Sequence, residues 1–181
     1  MDDRRVDRVI DFAEEGEVRI KVVRGDVDVR AWDRAAVEVT GELDEQVEEF
    51  IFERRGRVVY IEVKIPKRNR GWFDYDGSDL TINVPTSTDL EITGVSTDVY
   101  SRGTTGDIEL GLVSGDAQIQ GGSGRITLQT VSGEIGLRDA EGRIRAASVS
   151  GDIEVRQVDG GGEFSTVSGS VVIDEGVETM D

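Results

Sequence analysis

The tripeptide Val-Ser-Gly recurs at residues 113–115, 131–133, 149–151 and 167–169, every eighteen residues and with no insertion between copies. A degenerate copy, Val95-Ser96-Thr97, stands one period earlier. Gly106, Gly124, Gly142 and Gly160 lie between these triplets at the same spacing, so the underlying unit is nine residues, two to each period. Each unit reads as glycine, polar, aliphatic, polar, aliphatic and a polar turn; Gly106-Asp107-Ile108-Glu109-Leu110 and Gly151-Asp152-Ile153-Glu154-Val155 are the clearest examples. Apolar residues alternating at period two describe a strand with one buried face, and five such residues followed by a corner cannot make a helix. The corners also lack the alternating Asn-Gly or Asp-Gly signals of antiparallel hairpins.

Stacking of like coils satisfies this pattern most simply. The predicted fold is all-β: a single-stranded parallel β-solenoid, expected to be right-handed, with coils of two nonapeptide strands. Stacking places like residues in columns about 4.8 Å apart. The expected interior columns are Val95/Val113/Val131/Val149/Val167, Val99/Ala117/Ile135/Ile153/Val171 and Ile119/Leu137/Val155/Ile173. On the opposite sheet, Ile108/Ile126/Ile144 run beside Leu110/Leu128/Ala146/Phe164. The run Gly160-Gly161-Gly162 interrupts that sheet, and the bulk of Phe164 is expected to compensate.

The first half is less regular. Gly16-Glu17-Val18-Arg19-Ile20 and Gly25-Asp26-Val27-Asp28-Val29 are weaker units, and Phe50–Phe52 with Val58–Val63 suggest a hairpin turning near Gly56. Asp44 to Glu49 is the best candidate for helix, one or two turns at most. Residues 1–92 are therefore expected to form an irregular N-terminal β cap and the first coils, and 93–181 the regular repeats, in one continuous domain. The chain stops part-way through a coil at Glu178-Thr179-Met180-Asp181, which makes that end a candidate assembly surface.

Composition removes several function classes. The chain has neither Cys nor His, which excludes disulfides, thiolate metal sites, Cys nucleophiles and His bases. A net charge of -17 repels polyanions, so binding to nucleic acid or anionic lipid through general electrostatics is not expected. No apolar run approaches the length of a membrane span, and direct membrane insertion is not expected. No cofactor is implied.

Three candidate sites follow from the residues. Gly121-Gly122-Ser123-Gly124 is similar to a calcium-binding nonapeptide, but Ile126 stands where the ligand Asp belongs, so no metal site is assigned. Asp116, Glu134 and Asp152 form a corner ladder, with Asp107 on the other edge; Asp after Gly is ordinary turn chemistry, and that reading is preferred over cation recruitment. Ser114, Ser132, Ser150 and Ser168 are read as corner hydrogen-bonders, because no base accompanies them. The third is the aperiodic segment 67–75, where Arg68 and Arg70 stand beside Trp72, Phe73 and Tyr75. It suits a glycan, an anionic polymer or a protein, and is the expected binding site.

Over nearly its whole length the sequence resembles the bacterial DUF4097 family, which carries an adhesin label. The resemblance rests on Val-Ser-Gly-Asp/Glu at 113–116, 131–134 and 149–152, on Leu80-Thr81-Ile82-Asn83-Val84-Pro85, and on the opening segment Arg24-Gly25-Asp26-Val27-Asp28-Val29-Arg30-Ala31-Trp32-Asp33. It implies a β-helical protein, exported or facing the cell envelope, without established catalytic residues. The expected location is extracytoplasmic or envelope-associated, with any targeting segment outside this chain and a cytoplasmic location left open. The expected function is a non-catalytic, adhesin-like scaffold or interaction module with a protein or glycan partner. Two alternatives are a structural protein that forms homo-oligomers through its solenoid ends, and a β-helix enzyme acting on polysaccharide.

Overall fold

Alternating aliphatic and polar residues with short polar corners give strands and nothing else among the described residues. The computed structural model describes residues 4–12, 15–66 and 77–174. Its strands are β1 (Arg5–Asp11), β2 (Glu17–Trp32), β3 (Ala36–Glu42), β4 (Glu49–Arg55), β5 (Val58–Lys64), β6 (Ser78–Pro85), β7 (Asp89–Arg102) and β8 (Ile108–Ser114). They continue with β9 (Ala117–Gln120), β10 (Ile126–Ser132), β11 (Ile135–Arg138), β12 (Ile144–Ser150), β13 (Ile153–Arg156), β14 (Gly162–Ser168) and β15 (Val171–Asp174).

All fifteen belong to one sheet, mostly parallel, which folds back on itself into a solenoid-like stack. The two longest strands make the fold. The first half of β2 pairs with β5 and with the first half of β7, while its second half pairs with β6 and the second half of β7. β7 in turn pairs with β8 through Leu90–Ser96 and with β9 through Val99–Arg102. Two faces result. The first runs β4, β5, β2, β7, β8, β10, β12, β14, and the second runs β1, β3, β6, β2, β7, β9, β11, β13, β15. Among the described residues, pairing is antiparallel only at the start, where β1 meets β3, β3 meets β6 and β4 meets β5.

From β7 onward the register is uniform. Ile108 pairs with Ile126 and Ile126 with Ile144 on the first face; Ala117 pairs with Ile135 and Ile135 with Ile153 on the second. Inward residues of the two faces meet in one aliphatic core that includes Val18, Ile20, Val27, Val29, Ile92, Leu110, Leu128, Leu137 and Val155. Burying each such side chain contributes about 1.5–3 kcal/mol, most of it offset by the entropy of ordering the chain.

Two expected columns are buried as far as β13, through Val99/Ala117/Ile135/Ile153 and Ile119/Leu137/Val155, but their last members on β15, Val171 and Ile173, are 38% and 50% exposed. Phe164 also takes the expected role, for its ring occupies the space where a Cβ on Gly162 would stand. The valine column is a correction. Val113, Val131 and Val149 are 49%, 47% and 49% exposed, and the interior is filled instead by the residues before them, Leu112, Thr130 and Ser148. The reason is parity. Ile108, Leu110 and Leu112 share one side of β8, so Val113 must face out; the corner at 114–116 then resets the alternation before Ala117. Asp44 to Glu49 is likewise a turn and not a helix, closed by the Val47 N–H on the Asp44 carbonyl at 3.2 Å and the Gln46 N–H on the Asp44 carboxylate at 2.8 Å.

Candidate binding face

The corner carboxylates have a structural duty. Asp98 Oδ1 accepts the Asp116 N–H at 2.8 Å, Asp116 Oδ1 the Glu134 N–H at 2.9 Å, and Asp152 Oδ1 the Ser170 N–H at 2.8 Å. At the other corner Asp89 and Asp107 accept the N–H groups of Asp107 and Arg125, both at 2.8 Å. Each aspartate thus satisfies a backbone donor of the next coil where the strand ladder is interrupted. The serine reading changes accordingly. The carbonyls of Ser132, Ser150 and Ser168 accept from Gly115, Gly133 and Gly151, whereas no hydrogen bond of the four serine hydroxyls is found among the described residues.

On the second face, β7, β9, β11 and β13 present two outward residues each. One column reads Tyr100, Gln118, Gly136, Glu154, and the next reads Arg102, Gln120, Arg138, Arg156. Together they line a shallow groove of about 440 Å³ that crosses the strands. Its low point is Gly136. A Cβ there would meet only the Gln118 side chain, at an ordinary 3.6 Å, so the notch is open and the backbone unstrained. A second depression of about 330 Å³ adjoins it at the corner, lined by Gln120, Arg138, Asp139, Arg156, Gln157 and Asp174.

Charge is divided sharply across this face. The corner entering it carries Asp26, Asp98, Asp116, Glu134 and Asp152 in adjacent coils, and the far column carries the arginines. Arg30 is held by Asp28, at 3.0 Å from Nε, and Arg156 by Glu154, at 2.7 Å from Nε. Arg102 and Arg138 have no partner among the described residues. Tyr100 is 40% exposed; desolvation, with Asp98, Asp26, Asp116 and Asp28 nearby, raises its pKa above the usual phenol range, so it remains a neutral hydroxyl.

A third depression, about 670 Å³, lies nearer the start of the chain between Asp7, Asp26, Asp28, Glu42 and Asp79. Among the described residues no three carboxylates converge closely enough to hold a metal ion. Asp26 is pushed up from the usual carboxylate range by desolvation first and then by Asp79 and Asp98.

The five residues that sequence reasoning favoured, Arg68, Arg70, Trp72, Phe73 and Tyr75, lie outside the described residues. The groove was missed for a different reason. Its residues stand at the polar outward positions of the repeat and look like ordinary solvated side chains. The available signal was the column 102, 120, 138, 156, which reads Arg, Gln, Arg, Arg in a chain with 38 acids and 21 bases.

The profile of the family described as Toastrack DUF4097 matches residues 17–181. No curated protein matches the chain. Two solved structures share its fold. A candidate cell adhesion protein from Clostridium sporogenes aligns with a TM-score of 0.62 at 10% identity, covering 94% of this chain and 99% of that one. A candidate adhesin from Bacteroides fragilis aligns with a TM-score of 0.54 at 17% identity, covering 95% of each chain.

Proposed function

The chain belongs to the Toastrack DUF4097 family, and on that footing we propose that it is a non-catalytic, adhesin-like interaction module of the bacterial cell envelope. The observation that carries this reading is the run of coils from β7 to β15, joined only by short corners. Such coils offer broad, shallow faces, whereas polysaccharide-cleaving β-helices frame a cleft with long loops. The adhesion-related names of the two structural neighbours support it. The same proposal includes the finer architecture: a right-handed winding, two nonapeptides per coil, and residues 1–92 serving as the N-terminal cap. It also includes an extracytoplasmic location and a protein or glycan partner.

Beads coated with the chain should be retained on mucin-coated glass well above albumin-coated beads, with no reducing sugar released from polygalacturonate. Equal retention of the two beads, or steady sugar release, would count against the module.

One observation favours a second reading, assembly of copies through the stack end. On β15, Val171, Val172 and Ile173 are exposed, and β14 and β15 are edge strands whose outer backbone groups find no strand among the described residues. Light scattering over a wide concentration range separates the readings. A constant mass near 19.8 kDa favours the solitary module, and a mass rising with concentration favours assembly.

A further inference from the structure

We propose that the arginine-lined groove on the second face binds the carboxylates of an acidic, uronate-containing polysaccharide. The inference rests on the reading of the chain as an interaction module and supplies that module with a site and a ligand class.

Unpaired guanidinium groups are the unexpected element. The chain carries a net charge of -17, and Arg30 and Arg156 have each been claimed by a carboxylate two residues away. Arg102 and Arg138 keep their five donors free among the described residues, with neutral Gln120 between them in the same column. A guanidinium fork matches a carboxylate in two-point geometry, which an ammonium does not. The two forks stand two coils apart, about 10 Å along the stack. A polysaccharide lying along that axis would present an acidic sugar to each and an intervening sugar to Gln120.

The remaining lining suits sugar rather than phosphate. Gln118 and Gln120 offer amides that both donate and accept, as hydroxyl recognition requires. Tyr100 offers an exposed ring and a hydroxyl held neutral. Gly136 leaves room for a ring to settle between Gln118 and Glu154. A polyphosphate chain needs dense positive charge to displace its counterions; here two free cations face Glu154 and the acidic corner column, which repel it. With so few charged contacts a single groove binds weakly, and many copies on one surface make up the difference through avidity.

The direct test is titration of the whole chain with hexagalacturonate, with its methyl ester, and with inorganic polyphosphate. Hexagalacturonate should bind, and the methyl ester should bind about tenfold or more weakly, because the charge-assisted bonds are lost. R102Q/R138Q should weaken hexagalacturonate to the same extent, and R143Q, at a corner outside the groove, should not. G136L keeps the backbone unstrained, fills the notch and should abolish binding while the protein melts no lower than the parent. Absence of hexagalacturonate binding, indifference to esterification or to both groove variants, or tighter binding of polyphosphate would overturn the proposal. Bead retention separates the two readings. If R102Q/R138Q beads are held as well as the parent, the groove is not the site and the module stands. If parent beads are not held although hexagalacturonate binds, the groove stands and the adhesive role falls.

Discussion

Asp116 occupies a corner where two strands of one coil meet at an angle and the carbonyl ladder cannot reach every N–H. Its carboxylate accepts the Glu134 N–H from the next coil, and its own N–H is accepted by Asp98. Removing the side chain leaves a donor unmatched, so Asp116→Ala should lower stability by about 1–2 kcal/mol in urea unfolding. Asp116→Asn, which keeps an acceptor in the same place, should lose much less. Asp26 behaves oppositely. Desolvation, Asp79 and Asp98 raise its pKa above the ordinary 3.8. Below that value the carboxyl is protonated in both states. As pH rises the unfolded chain releases its proton first, so stability falls until the folded carboxyl has also ionised. Asp26→Asn should therefore raise the melting temperature at neutral pH, with the gain shrinking toward zero on acidification; high salt should remove only the smaller share that comes from Asp79 and Asp98. Melting curves of the pair across pH check both the sign and the window.

At the scale of the strand, the repeated glycine after Val-Ser fixes how closely coils can approach. Gly133 has φ +153, and a Cβ there would stand 2.0 Å from the Gly115 carbonyl oxygen of the preceding coil. Gly133→Ala should cost about 3 kcal/mol or more, since backbone blocks the new methyl on a conformation that L-residues avoid. A chemical denaturation midpoint unchanged by this substitution would remove the close approach from the account. The corners after β7, β9, β11 and β13 are also left-handed: Gly103 and Gly121 are followed at the same position by Asp139 at φ 53 and Gln157 at φ 51.

The strands themselves were legible because period-two alternation and the glycine spacing are both local in sequence. The valine column was not, because hydrophobicity pointed inward while strand parity pointed outward, and only the position of the corner decides between them. Thr130 and Ser148, buried with no partner for their hydroxyls among the described residues, were hidden by the same ambiguity. The arginine groove was harder still. Arg102 and Arg138 are separated by 36 residues, and their shared face exists only once the register is known.

For the molecule as a whole, stability is expected to be a sum of coils, each resting on its neighbours, with β2 and β7 tying the two faces together. The core is one continuous cluster from Val6 to Val155, aliphatic except for Phe12 and Phe52. Charge follows the same order: the acidic corner runs along one side of the second face and the column Arg102, Gln120, Arg138, Arg156 along the other, with Tyr100, Gln118, Gly136 and Glu154 between them. That regularity is what gives a shallow face enough length to hold an extended partner. It also makes the architecture directly testable by subtraction. Deleting residues 126–143 removes β10 and β11 and joins Arg125 to Ile144, which already follows Arg143 in the parent. Deleting 126–134 removes β10 alone and sets Ile135, a second-face residue, where a first-face strand must begin. Thermal unfolding of both proteins, followed by far-ultraviolet circular dichroism, is the decisive measurement. The stacked-coil account predicts that the eighteen-residue deletion keeps the parent β spectrum and one cooperative transition at a somewhat lower temperature, while the nine-residue deletion loses that transition. Equal disruption by the two deletions, or equal tolerance of them, would contradict it.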